Sequence, residues 1–286
     1  MLVSMIYILV GLIGLSLGSF VNALVWRMRH NEVINGKKTN VGKKTSNKEA
    51  QLSIVYGRSI CVKCKHQLAW SDLIPVMSWL ALSGKCRYCH KKISIQYPLV
   101  ELLVAFLAVF LLAVWPFELT GMVSWIRLGL WLSALPLLVA LVIYDIKYMI
   151  MPTVLIYILN VIAVLFALSL AFEFKNIDFV VSPLIGSALI GGFFLGLHVF
   201  SKGKWIGGGD VRFGFTMGLF LGWQSALFAL ALASYLGTAL VIVLLILGKY
   251  HKKMRLPFGP FLVAGTYIAL LYGNQVIDWY KNLAGM

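Results

Sequence analysis

Two of the five aspartates in the chain, Asp145 and Asp210, stand at the ends of long apolar runs. Asp145 closes the run LSALPLLVALVIY, and Asp210 directly follows Gly207, Gly208 and Gly209. A carboxylate at the edge of a membrane span is energetically costly and by default indicates a function. Each acid taken alone is equally compatible with a structural role, Asp210 as a helix cap and Asp145 as a loop acid.

Taken together, two carboxylates can cleave a peptide bond without a metal ion or a cofactor. Two adjacent acids do not both ionise cheaply, so they share one proton near neutral pH. The ionised acid then takes a proton from water while the protonated acid polarises the peptide carbonyl. The three glycines have no side chains to block an extended substrate backbone that approaches the acids. The pattern therefore predicts an aspartic protease site.

Four cysteines form a second chemically distinctive group, arranged as two Cys-x-x-Cys pairs: Cys61 with Cys64, and Cys86 with Cys89. Each pair presents two thiolates at one turn, and two such pairs supply the four ligands of a tetrahedral zinc ion. Four thiolates leave no open coordination position, so we expect the zinc to be structural. The alternative is two unrelated redox pairs or buried free thiols. A cytoplasmic location keeps thiols reduced, which favours zinc over disulfides.

The elements that must position these residues are membrane helices. Of the 286 residues, 60% are hydrophobic and only 12% are charged, whereas a soluble domain averages about 25% charged residues. Apolar runs of about 20 residues, the length that crosses a bilayer, recur along the chain. Eight spans are predicted, near 2–26, 98–115, 122–144, 153–172, 180–200, 211–222, 225–248 and 258–278.

These spans predict an all-α polytopic membrane protein with one large polar insert between its first two helices. Residues 1–26 form the first transmembrane helix, 27–97 form a basic cytoplasmic loop with the cysteines, and 98–286 form the bundle that carries both acids. The stretch 29–51 is rich in Lys, Asn, Gly and Thr and has almost nothing to bury, which indicates a flexible, solvated segment.

The distribution of charge predicts which side of the membrane each loop faces. The formal net charge is +15, and alternating the loops between two sides places most Lys and Arg on the side of the loop 27–97. An excess of basic residues marks the cytoplasmic side. We therefore expect both termini outside the cytoplasm and both acids at the cytoplasmic face. Because topology and contact with anionic membrane lipids account for the basic charge, no nucleic-acid partner is predicted.

The chain resembles type IV prepilin leader peptidases, a family of Gly-x-Gly-Asp intramembrane aspartic proteases, over nearly its whole length. GGGD at 207–210 fits that motif, and GSFVNALVWRM at 18–28 resembles the family's N-terminal signature. The segment 57–103 resembles its cysteine-bearing loop. DIKYMIMP, which begins at Asp145, resembles the surroundings of the family's first catalytic aspartate.

Three positions depart from the family's pattern. Met151 stands where Leu or Ile is commoner, Thr153 where the family has Asp or Asn, and Arg212 where Lys is typical. None of these departures touches the two acids. We therefore expect cleavage to be kept and substrate docking to differ in detail.

The resemblance implies a substrate and a set of site residues. The substrates would be prepilin and pseudopilin precursors, whose short basic leader stays in the cytoplasm and is cut off at the inner membrane surface. Asp145 and Asp210 would be the catalytic pair. Residues expected to contact the substrate are Gly207, Gly208, Gly209, Arg212, Lys147 and Glu101.

A second activity follows from the same resemblance. Many family members with the cysteine loop methylate the new N-terminal residue using S-adenosylmethionine, so we expect methylation here, although no Gly-rich motif marks a cofactor site.

Two alternative functions remain. The chain is a peptidase alone, with a zinc loop for docking or stability, or it is a proton-coupled transporter with Asp145 and Asp210 as relays. The transporter is disfavoured because both acids lie at one face and no internal repeat is visible.

Overall fold

The fold is helical throughout the part of the chain that the computed structural model describes, residues 2–40, 58–251 and 254–285. Two isolated β-bridges lie in the cysteine insert. The helices are α1 (Leu2–Asn40), α2 (Met77–Ala81), α3 (Gln96–Ala113), α4 (Met122–Tyr148), α5 (Thr153–Phe174), α6 (Asp178–Phe200), α7 (Gly208–Ile246) and α8 (Gly259–Leu283), with a short 3-10 turn at Trp70–Leu73. The predicted fold class is confirmed.

All of these helices except the five-residue α2 are long and apolar enough to cross a membrane. Large apolar side chains stay exposed on their outer faces, among them Phe106, Val161 and Phe193. Such a surface is unfavourable in water and favourable against lipid tails, where only helices or closed barrels satisfy their backbone hydrogen bonds. The described residues therefore form a multi-pass membrane protein.

The first helix is longer than the span that hydropathy predicts. α1 continues past residue 26 to Asn40, so the chain from 29 to 40 is helical, whereas its composition indicated a flexible segment. A helix can leave the bilayer and continue in water, and the end of the apolar run then marks the membrane boundary rather than the helix end. The rest of that predicted segment, 41–51, lies outside the described residues.

The long helix α7 is broken at Gly222. A straight helix of its 39 residues would measure about 58 Å, nearly twice the hydrocarbon thickness of a bilayer. Gly222 has φ 74° and ψ 171°, a conformation that residues with a Cβ rarely adopt. A Cβ on Gly222 would also lie 2.5 Å from the hydroxyl oxygen of Ser182, in α6. Glycine is therefore required at the break.

Neighbouring contacts indicate that the chain reverses direction at this break. Gly209, at the start of α7, lies beside Met151. Gly237 lies beside Phe258, whose neighbour Gly259 also lies beside Met151. A straight helix would hold Gly209 and Gly237 about 42 Å apart. The spans predicted at 211–222 and 225–248 are thus the two halves of α7, which run in opposite directions.

The chain divides into two compact units, Met1–Leu112 and Ala113–Met286. In the first unit, α1 packs closely on α3 through glycines. A Cβ on Gly14 would lie 2.6 Å from the Cα of Ala105, and one on Gly18 would lie 2.5 Å from the Cα of Glu101. Small residues at such crossings let membrane helices approach and gain van der Waals contact. The first unit also contains the cysteine insert.

The second unit packs α4 to α8 around a core of large, fully buried side chains. Trp131 and Tyr144 of α4, together with Phe213 and Met217 of α7, are completely inaccessible to solvent. The ring centroids of Trp131 and Phe220 lie 4.7 Å apart, close enough for a favourable aromatic contact. The last turn of α4 and the first turn of α7 carry the predicted catalytic acids.

Candidate functional site

Asp145 lies in the last turn of α4 and is only 6% exposed. Its Oδ2 accepts a hydrogen bond of 3.1 Å from the backbone N–H of Gly259. Gly259 is the first residue of α8, so its N–H has no partner inside that helix and is free to bind a carboxylate. The positive end of the α8 dipole also favours a negative charge at this position.

Asp210 lies in the first turn of α7 and is partly buried. Its Oδ2 accepts a hydrogen bond of 3.2 Å from the backbone N–H of Gly207, the residue that caps this helix. The sequence allowed Asp210 to be the cap itself, but that position belongs to Gly207. Asp145 thus lies beside the N-terminal end of α8 and Asp210 lies within that of α7, and each accepts a hydrogen bond from a glycine.

Met151, in the short connection between α4 and α5, lies beside the backbone that adjoins each acid. A Cβ on Gly209, next to Asp210, would lie 2.9 Å from the Cβ of Met151. A Cβ on Gly259 would lie 2.1 Å from the Cε of Met151 and 2.5 Å from Oδ2 of Asp145. Met151 therefore lies between Gly259, which binds Asp145, and Gly209, which precedes Asp210.

The three predicted glycines differ in how much room they leave for another molecule. Gly209 packs against Met151, so the space beside it is already taken. Gly207 faces the carboxylate of Asp210: a Cβ on Gly207 would lie 3.3 Å from Oδ2 of Asp210. Gly208 is the least crowded, with only the end of the Arg212 side chain within 4 Å. Gly208 thus has the most room where a side chain would stand, while Gly207 is the most exposed of the three.

Arg212 ties the glycine segment to the start of α5. Its Nε donates a 2.9 Å hydrogen bond to the carbonyl of Gly208, and its guanidinium also donates to Oγ1 of Thr153. Arg212 and Thr153 are two of the positions that depart from the family's pattern, and they contact each other. Lys147, also predicted to contact substrate, is exposed in the last turn of α4.

Sequence reasoning did not identify Gly259 as part of this site. The only signal is the motif PFGPF at 257–261, whose prolines and glycine mark the start of α8. Nothing in the motif indicates that its glycine binds Asp145, because that contact depends on how α8 packs against α4.

The four cysteine thiols of the insert lie within 4.8 Å of one another. A tetrahedral zinc ion with Zn–S bonds of about 2.3 Å holds its sulfurs about 3.8 Å apart, and the sulfurs of Cys61 and Cys89 are 4.0 Å apart. The cluster therefore fits a four-coordinate metal ion. Cys86 is buried and Cys64 is exposed, so the site lies near the surface of the insert.

Both cysteine pairs sit in the same kind of turn. In the first, the N–H of Cys61 donates to the carbonyl of His66, and the N–H of Lys65 donates back to Cys61. Residues Cys86, His90 and Lys91 repeat this pattern in the second. Turns that point thiols at one centre are typical of structural zinc sites.

The pKa of the Cys61 thiol is lowered within the cluster. Burial alone would raise this pKa. The N–H groups of Cys64 and Lys63, together with the neighbouring thiols, outweigh the effect of burial and lower the pKa to about 7. The thiolate is the form that ligates metal ions. Cys61 therefore loses its proton more readily than an ordinary cysteine.

Glu101, which the sequence predicts to contact the substrate, belongs to the first unit. It lies in α3, is 6% exposed, and its Oε2 accepts a 2.7 Å hydrogen bond from the N–H of Val76. Val76 has φ 60°, which is strained for a β-branched residue. Glu101 thus anchors a strained position of the cysteine insert to α3.

Comparisons with known proteins show the family to which the chain belongs. A model described as the bacterial peptidase A24 N-terminal domain matches residues 12–117, and one described as the type IV leader peptidase family matches 132–242. A prepilin leader peptidase/N-methyltransferase of Aeromonas hydrophila is 31% identical over 282 residues, which are 95% of this chain and 92% of that protein. The chain belongs to the type IV leader peptidase family.

Other members of the family align with the chain over similar lengths. Proteins with the same description from Pseudomonas aeruginosa and Bacillus subtilis are 30% and 31% identical, covering 96% and 82% of this chain and 93% and 89% of theirs. No solved structure matches the chain. The family resemblance read from the motifs is confirmed.

Proposed function

We propose that the chain removes the leader peptide from prepilin and pseudopilin precursors and then methylates the new N-terminal amine. The observation that supports the cleavage step is that Gly259, which binds Asp145, and Gly209, which precedes Asp210, both pack against Met151. The names of the relatives, prepilin leader peptidase/N-methyltransferase, supply the substrate class and the second activity.

Cleavage would use the two acids in complementary protonation states. The ionised acid takes a proton from a water molecule, whose oxygen forms a bond to the scissile carbonyl carbon while the protonated acid donates to the carbonyl oxygen. The tetrahedral intermediate then collapses as its C–N bond breaks, and the leaving nitrogen takes up a proton. In this mechanism Gly259 and Gly207 orient the two carboxylates through their N–H groups. No cofactor is needed for this step.

The substrate backbone would lie along the open edge of the glycine segment. Gly208 offers the least crowded backbone, and Gly207 and Gly209 flank it. Arg212 and Lys147 are exposed cations that would donate hydrogen bonds to substrate carbonyl groups. Glu101 would contact a positively charged partner, either the amine that is methylated or the methyl donor.

The orientation in the membrane follows from the charge distribution. Both termini would lie outside the cytoplasm, in a cytoplasmic membrane, and the acids would lie at its cytoplasmic face. A C-terminal epitope tag is therefore expected to be accessible to antibody in intact spheroplasts. Protection of the tag until the membrane is permeabilised would contradict this orientation.

The cysteine insert would hold a structural zinc ion through Cys61, Cys64, Cys86 and Cys89, whose four thiols suit zinc and leave no open position. S-adenosylmethionine would supply the methyl group, with the new N–C bond forming as the S–C bond breaks, a thioether leaving, and the amine proton passing to solvent.

The experiment that tests this function follows a purified prepilin by intact mass. The chain in detergent is incubated with the prepilin and S-adenosylmethionine, without an energy source. Loss of the leader and a gain of one methyl group support both activities. Cleavage without the methyl group supports the peptidase alone. An intact prepilin, together with proton flux that depends on Asp145 and Asp210 in liposomes, would support the transporter instead.

A further inference from the structure

A cavity of about 470 Å³ lies within the first unit, lined by residues of α1, α3 and the cysteine insert. This volume lies in the usual range for small-molecule sites, about 300–1,000 Å³. The peptidase mechanism does not use the cavity, because both acids belong to the second unit. Its charged and aromatic lining nevertheless has the mixed composition of a ligand site.

Charges of both signs line the cavity. The side chain of Asp72 is only 4% exposed, and its Oδ1 accepts a 2.7 Å hydrogen bond from Nε of Arg87. Glu101 is also buried. Arg27 and Arg58 complete the charged lining. A purely anionic ligand such as a phospholipid headgroup would meet the two buried carboxylates, so the site favours a molecule that carries charges of both signs.

Aromatic rings supply flat apolar surface in the same cavity. Trp26, Trp79 and Tyr97 line it. Trp79 is held in place, because its Nε1 donates a 3.3 Å hydrogen bond to the carbonyl of Ile93 and its ring packs against Gly84. A fixed ring is a platform for a planar heterocycle or for a cation placed over its face.

We propose that this cavity binds S-adenosylmethionine, the methyl donor, a proposal that rests on the methyl-transfer half of the proposed function. The molecule carries a planar adenine, a ribose diol, a sulfonium cation, an ammonium group and a carboxylate. The cavity offers aromatic rings for the adenine, guanidinium groups for the carboxylate, and carboxylates for the cations and the diol. Each chemical feature of the donor thus has a matching group in the lining.

The metal site and the cavity share a wall. Cys61 and Cys86 both line the cavity, and they belong to the cluster that fits a zinc ion. A metal bound there would hold both cysteine turns in place and keep this wall of the cavity formed. A structural zinc ion would in this way support the binding of a second molecule that it does not touch.

The test measures binding directly and does not depend on methyl transfer. The full-length chain in detergent is dialysed against S-adenosylmethionine that carries tritium in its methyl group. Glu101→Gln keeps the shape and an acceptor for the N–H of Val76 but removes the charge, and Arg58→Ala removes an exposed cation. The matched control is Lys91→Ala, which removes an exposed cation from the same insert but does not line the cavity.

We expect Glu101→Gln and Arg58→Ala each to raise the dissociation constant about tenfold, as the loss of one charge-assisted contact does, and Lys91→Ala to leave it unchanged. Zinc content and gel-filtration profile show whether each variant is folded. Wild-type affinity in both cavity variants, with methylation intact in the wild-type chain, would overturn the assignment and leave the proposed function standing. A wild-type chain that cleaves the prepilin but neither binds S-adenosylmethionine nor methylates the product would overturn both this assignment and the methyl-transfer half of the proposed function.

Discussion

The backbone N–H of Gly259 donates a 3.1 Å hydrogen bond to Oδ2 of Asp145, although the two residues are 114 positions apart in the sequence. The contact joins the first residue of α8 to the last turn of α4. A Cβ at this position would lie 2.5 Å from the carboxylate oxygen, so a side chain there would displace the carboxylate. The position of this acid therefore depends on a residue without a side chain.

Gly259→Ala is accordingly expected to lower the kcat for prepilin cleavage about a hundredfold, the usual effect of displacing a catalytic group by about 1 Å. The matched control is Gly196→Ala in α6, where a Cβ meets no atom within 4 Å. Both rates are measured with the same prepilin, and gel filtration shows that each variant is folded. A folded Gly259→Ala variant that cleaves at the wild-type rate would show that this contact does not position the acid.

Arg212 and Thr153 form a second specific pair. Arg212→Lys is expected to lower kcat/KM about fivefold, because a lysine cannot bind both the Gly208 carbonyl and the Thr153 hydroxyl in the same geometry. Adding Thr153→Asp should restore most of the loss, since lysine pairs well with a carboxylate. The measurement is a double-mutant cycle with an expected coupling of about 1 kcal/mol. Additive effects of the two substitutions would mean that the pair does not act as a unit.

The insert should contain one zinc ion per chain. Cys86→Ser removes a buried thiol of the four-cysteine cluster and is expected to reduce the metal content to near zero, because three protein ligands hold a structural zinc ion far less tightly than four. Elemental analysis of the purified chain measures this. His66→Ala should retain the metal. Loss of zinc in the His66→Ala variant would show that His66 is a ligand and that the site does not consist of four thiolates.

Arg127 forms a buried ion pair on α4. It is fully buried, pairs with Glu173 of α5, and its guanidinium lies 5.0 Å from the ring centroid of Phe117 and 5.7 Å from that of Phe174. Arg127→Met leaves Glu173, which is 26% exposed at its side chain, without its partner. We expect it to lower the free energy of unfolding by about 3 kcal/mol, the lower end of the range for broken buried pairs.

The matched comparison removes both charges of this pair. Arg127→Met combined with Glu173→Gln should lose less stability than Arg127→Met alone, because no unpaired carboxylate remains. Unfolding in mixed detergent micelles measures both. Equal losses in the single and double variants would mean that the packing of Arg127 between the rings stabilises the chain, rather than its charge.

Much of this architecture could be predicted from composition, because a bilayer leaves few ways to satisfy the backbone. Apolar runs of sufficient length must be helices in lipid, so the spans and the fold class followed directly. The four-cysteine cluster could also be predicted, because the Cys-x-x-Cys spacing within each pair is local and places both thiols at one turn. The aspartates at 145 and 210 stood out because carboxylates are rare at membrane depth.

The remaining features depend on packing between distant segments. The hydrogen bond from Gly259 to Asp145 exists only because α8 starts beside the end of α4, and no local pattern around 259 records that. The length of α1 beyond residue 26 was missed because hydropathy reports the membrane boundary and not the helix end. The cavity of the first unit was missed because its lining comes from three separated stretches of sequence.

The central claim is that Asp145 and Asp210 together cleave a prepilin. The direct measurement is a prepilin digest in detergent with the wild-type chain, Asp145→Asn and Asp210→Asn, analysed by intact mass. Asparagine preserves the shape of each side chain but cannot exchange the proton that cleavage requires. We expect wild-type cleavage and no detectable product from either folded variant. Cleavage at the wild-type rate by either variant would contradict the account, and the acids around Met151 would then have a structural role alone.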